Sequence, residues 1–131
     1  MNALSRFAPI GARLALGLLF TVFGLNGFLH FIDIPPAEGD AGSFMGGLAA
    51  SGYFFPFLAG TQVVVGLALL TNFFAPLALV VLAPITINIV LYHTLAPDGM
   101  AMALVIVVLQ AYLAWNLRSA YRPLLTARWQ A

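Results

Sequence analysis

Long apolar runs separated by short polar breaks dominate the chain and predict four helices, over about 10–31, 53–70, 74–95 and 98–120. Each run is near the roughly 20 residues needed to cross a hydrocarbon core about 30 Å thick. The breaks carry turn chemistry. Asp33-Ile34-Pro35-Pro36 ends the first run, Thr71-Asn72 makes a tight reversal, Pro97-Asp98-Gly99 turns the chain into the last run, and Pro123 stops it. Residues 1–9 read as a short polar lead closed by Pro9, and Glu38-Gly39-Asp40 as an acidic loop. Asp98 suits the N-cap of the fourth helix. Pro56 and Pro76 fall in first turns, where no intrahelical N–H is lost; Pro84 falls mid-run and predicts a kink. Ser43 to Ser51 is too short to span. Phe44, Met45 and Leu48 in it fit a short helix on the membrane surface, with an irregular glycine-rich loop as the alternative.

Composition sharpens this pattern. Of 131 residues, 63% are hydrophobic and 7% charged, whereas a soluble domain carries about a quarter charged residues. The expectation is one all-α domain over 1–131, a four-helix transmembrane bundle in a lipid bilayer. Arg13 near the start of the first run raises a signal peptide, but the run is too long, no small-x-small cleavage site follows, and three more runs come after. Cysteine is absent, which removes thiolate nucleophiles, iron–sulfur clusters and Cys-ligated zinc.

Charge placement sets an orientation. All five Arg (6, 13, 118, 122 and 128) flank the start of the first run or the end of the fourth, and all four acids (33, 38, 40 and 98) follow the first and third. Four spans put both termini on one side, and the positive-inside rule makes that side cytoplasmic. Trp115, Tyr121 and Trp129 fit an inner aromatic belt, Tyr53 and Phe54 an outer one.

Polar residues inside the runs carry the candidate chemistry, because a polar side chain in hydrocarbon is kept facing protein or a water-filled cavity. At 100° per residue, Gly17, Thr21 and Gly24 form a small-residue stripe suited to close helix approach, with Asn26 and His30 nearly opposite. Gln62 shares a face with Ala59 and Gly66, Gln110 with Ala103 and Ala114, Asn88 with Tyr92, and Thr86 with His93. The topology places Asn26, His30, Asn88, Tyr92 and His93 in the outer half and Gln62 and Gln110 near the midplane. These seven predict a polar pocket inside the bundle, open or nearly open to the outer face.

Several motifs together resemble the DoxX-like membrane proteins. Arg13-x3-Gly17 with Phe23-Gly24-Leu25-Asn26 is similar to that family's first-span pattern. The run from Gln62 through Gly66-Leu67-Ala68-Leu69-Leu70 is similar to its second-span Glu-x3-Gly-Leu-x-Leu-Leu, and Asn88-x4-His93 with Pro97-x-Gly99 to a variant in its DoxX-like branch. The likeness covers most of 10–120. Gln62 stands where many members have Glu, and Gly27 where many have Lys, so a buried charge pair of those relatives is absent. The resemblance implies a four-helix membrane bundle in the company of redox proteins, some members being associated with thiosulfate:quinone oxidoreductase.

The functional expectation is an accessory subunit of a redox system, working with redox partner proteins. A quinone or similar apolar ligand needs an aromatic-lined slot with two hydrogen-bonding groups. Asn26, His30, Gln62, Asn88, Tyr92, His93 and Gln110, with Phe23 and Phe55, could supply it. A b-type haem on His30 and His93 is the alternative, but no further ligand set stands beside these histidines and no metal site is expected. Two rival readings are a structural or assembly protein whose polar groups only fix packing, and a small transporter working as an oligomer. Nothing resembles a phosphate loop, a nucleophile–base pair or a nucleic-acid surface. No catalytic residue is assigned.

Overall fold

The computed structural model of the chain describes residues 2–128; Trp129, assigned above to the inner aromatic belt, lies outside them. The described residues form α1 (Ala3–Leu29), α2 (Gly39–Ala50), α3 (Phe54–Thr71), α4 (Ala75–His93), α5 (Met100–Asn116) and the single turn α6 (Arg118–Tyr121), with 3-10 turns at Pro97–Gly99 and Arg122–Leu125. No strand occurs among them. Four segments are long and apolar enough to cross a membrane: α1, α3, α4 and Pro97–Asn116. The protein is an all-α, multi-pass membrane bundle, as the apolar runs predict.

The bundle closes as a ring in which α1 packs on α3 and α5, and α4 packs on the same two helices. In lipid, apolar side chains gain little by turning inward, so close backbone approach at small residues selects the seams. Gly17, Gly24, Ala59, Gly66, Ala78 and Ala103 are all buried. Leu16, Phe20, Leu69 and Leu82 fill the centre. Large side chains such as Val64, Ile87 and Val108 stay more than half exposed and form an apolar outer surface.

The α1–α3 seam is the tightest and bears out the small-residue stripe. A methyl placed on Gly17 would lie 2.9 Å from Leu70, and one on Gly24 would lie 2.8 Å from Val63. These pairings make the two helices antiparallel. They also bring Arg13 to the end of α3, where its guanidinium donates to the carbonyls of Leu69 and Leu70. The last carbonyls of a helix lack intrahelical donors and carry the negative end of its dipole, so a cation there is favourable. Arg13, read from sequence as a topology signal, is the C-terminal clamp of α3. Arg13→Gln is expected to cost about 1–2 kcal/mol in a denaturation series in detergent; no measurable loss would show that the clamp is immaterial.

Several boundaries differ from expectation. Residues 3–9 continue α1 rather than forming a polar lead, and Pro9 lies inside the helix; loss of one bond to the Ser5 carbonyl does not stop a long apolar helix. Gly39 and Asp40 are the first turn of α2, not loop. Asp98 is no N-cap: it sits inside the 3-10 turn, and Gly99 precedes α5. The last span ends at Asn116, well before Pro123. There the Asn116 amide donates to the Tyr112 carbonyl at 2.8 Å, a side-chain competition that weakens a helix end. The chain then turns so that the Tyr121 hydroxyl donates to the Pro76 carbonyl at 3.1 Å. Partial burial pushes the ionisation of Tyr121 up from its ordinary value of 10.0, keeping it a donor. Thr71-Asn72 is the predicted reversal, with Asn72 and Phe74 both at positive φ. Helix α4 runs through Pro84 without a break.

Candidate functional site

At the end of the bundle opposite Arg13 and Tyr121, α1, α3, α4 and α5 line a cavity of about 610 Å³. A second of about 300 Å³ adjoins it beneath α2. Six of the seven residues expected to form a pocket line one or both. Asn26, His30, Gln62 and His93 line the larger, and Gln62, Asn88, Tyr92 and His93 the smaller. Phe23 and Phe55 contribute to the larger wall as anticipated. Asp33, whose place after the first run predicts only an outer-loop position, lines the larger cavity too.

Geometry then separates these residues by role. Asn26 is 6% exposed. Its Oδ1 accepts from the Ile32 N–H at 2.6 Å and its Nδ2 donates to the Ile32 carbonyl at 3.3 Å. Both polar ends are thus spent on folding the chain back over the end of α1, behind His30 at positive φ. His30 itself is exposed at the cavity's edge. Asn88 donates to the Pro84 carbonyl of its own helix at 3.1 Å.

Gln110 stands apart. It lines neither cavity and is 8% exposed. Its Oε1 accepts from the Thr86 hydroxyl at 2.5 Å, and its Nε2 donates to the Leu79 carbonyl at 3.0 Å. The two bonds tie α5 to α4, and the expectation that Gln110 belongs to the pocket is corrected: it is an interhelical bond. Gln110→Leu is expected to lower stability in detergent by about 1 kcal/mol while leaving the cavities intact. A change in ligand retention without a change in stability would contradict that role.

Gln62 and His93 differ from the rest. They are the polar side chains that line both cavities. Among the described residues Gln62 makes no side-chain hydrogen bond, and none of its polar atoms is sealed from the surroundings. His93 uses one nitrogen, Nδ1, which meets the Ala96 carbonyl at 2.8 Å. Its ring packs edge-on to Tyr92, with centroids 5.2 Å apart. On the other side it lies against Gly99, where an added Cβ would overlap three ring atoms. The turn Pro97–Gly99 therefore makes room for the imidazole. Proximity of His93 and Gly99 in sequence hinted at this; the ring contact itself depends on the turn.

Helix α2 closes the smaller cavity. Phe44, Met45 and Leu48 line it, Phe44 remaining half-exposed, and the Phe44 ring lies 6.3 Å from that of Tyr92. The helical alternative for 43–51 is thus the one adopted, within the longer α2, and its apolar residues line the smaller cavity. No group of three or more His, Asp or Glu side chains that could hold a metal gathers among the described residues. Compared with known proteins, the chain matches no family model, no curated protein and no solved structure.

Proposed function

We propose that this chain is a DoxX-like protein of the cell's inner membrane, with both termini cytoplasmic, that binds a quinone-like apolar ligand in the outer-half cavity as an accessory subunit of a redox system. One observation carries the reading. Two polar side chains with free hydrogen-bonding atoms, Gln62 and His93, line both of two adjoining, mostly apolar cavities of about 610 and 300 Å³. That volume suits a small molecule, and few polar groups on an aromatic wall is how such sites fix orientation. A ring with two oxygens on opposite edges matches a pair of polar groups better than it matches a row of them. The segregation of Arg and acids to opposite ends of the bundle supports the orientation.

The test is retention of a short-chain benzoquinone by purified protein in detergent. Gln62→Leu is expected to weaken binding about tenfold, the worth of one or two hydrogen bonds in a water-poor site, with little change in thermal stability. Unchanged binding would remove Gln62 from the site. A purely structural role for the polar groups is the second reading. It is favoured by Asn26 and Gln110, whose bonds are all internal, and it predicts that Gln62→Leu, which removes no internal bond, leaves benzoquinone retention unchanged.

A further inference from the structure

We infer that the cavity is built for the reduced, dihydroxy form of a quinone-like ligand in preference to the oxidised form; this rests on the function proposed above. The argument comes from the direction of one hydrogen bond. The Ala96 carbonyl can only accept, so the 2.8 Å contact with His93 requires the proton on Nδ1. In a neutral imidazole with Nδ1–H so committed, Nε2 is an acceptor. Among the described residues Nε2 has no protein partner, and it is not sealed away.

The ring has little freedom to present its other edge. Tyr92 packs on it at an interplanar angle of 66°, and Gly99 lies directly against Cε1, Nδ1 and Nε2. A hydroxyl reaching Nε2 donates to it. A quinone carbonyl in the same place would set lone pair against lone pair and leave an acceptor unpaired. Gln62 does not discriminate, because its amide offers both a donor and an acceptor. Of the two polar side chains that line both cavities, His93 therefore carries the discrimination between the redox forms, and Gln62 can bond an oxygen of either.

The experiment compares a short-chain benzoquinone with its hydroquinone on the full chain in detergent. Binding is measured anaerobically by calorimetry at pH 8. The hydroquinone is expected to bind at least about tenfold more tightly, the cost of one mispaired polar group. His93→Gln, whose amide can donate or accept, is expected to bring the ratio close to one. Equal affinities in the unmodified protein, or tighter quinone binding, would overturn this inference while leaving the proposed ligand class standing. A ratio unchanged in His93→Gln would overturn the assignment to His93. If neither form binds, the proposed function falls and this inference with it.

Discussion

Gly66→Ala is expected to destabilise the bundle by about 3 kcal/mol, at the upper end of overpacking costs. The added methyl would overlap the Thr21 hydroxyl, approach the Thr21 backbone nitrogen to 2.6 Å and lie 2.9 Å from the Gly17 carbonyl. A hydroxyl can rotate away, but two stretches of helical backbone cannot. Relief requires α1 and α3 to separate along their length, which would loosen the paired contacts at Gly17 and Gly24 and pull Arg13 from the end of α3. Gly11→Ala is the matched control, since a methyl there meets nothing within 4 Å among the described residues. It adds the same atom to α1 and should be neutral or slightly stabilising through helix propensity. Thermal or denaturant unfolding of both variants in one detergent decides the matter. Equal stabilities would mean that α1 and α3 do not meet along this seam.

Gly99→Ala acts on the site while sparing the fold. Here the new methyl meets the end of a side chain, the imidazole of His93, rather than backbone. Gly99 has ordinary negative φ, so alanine suits the position conformationally. The imidazole must swing off the turn, losing its bond to Ala96 and entering the space shared by the two cavities. Ligand retention is expected to fall about a hundredfold, the sum of a lost charge-free hydrogen bond and an obstructed cavity. Unfolding should shift by less than about 1 kcal/mol. A variant that binds as well as the parent would show that the ring does not face the ligand. Parallel losses of stability and binding would mean that the turn, and not the imidazole, was disturbed.

The contrast between these glycines shows why the candidate site was only partly legible. Asn26, Gln62, Asn88 and Gln110 looked alike in sequence: each is an amide in an apolar run, and lipid forbids all of them to face hydrocarbon unpaired. Three turned out to spend one or both polar ends on the protein itself, Asn26 on Ile32, Asn88 on Pro84, and Gln110 on Thr86 and Leu79. Partners 24 and 31 residues away, in the case of Gln110, leave no trace in a helical-face argument. Phe44, Met45 and Leu48 were legible as an apolar helix face, and only the fold shows that this face lines the smaller cavity. An apolar face satisfies a membrane surface and a bundle equally, and periodicity does not say which it meets.

What the sequence determined by itself is the class of the molecule and the polarity of its charges. Runs of some twenty apolar residues must form helices in lipid, because no other local structure satisfies their backbone there. Arginines gathered at one pair of ends and acids at the other follow directly from residue order, as does the small-residue stripe of α1. Tertiary structure decided which polar groups are free. That depends on where helices far apart in sequence come to lie against one another, down to whether a carbonyl falls within 3 Å of an amide. Gln62 and His93 were left open to the cavity by that packing, and the same packing closed Asn26 and Gln110.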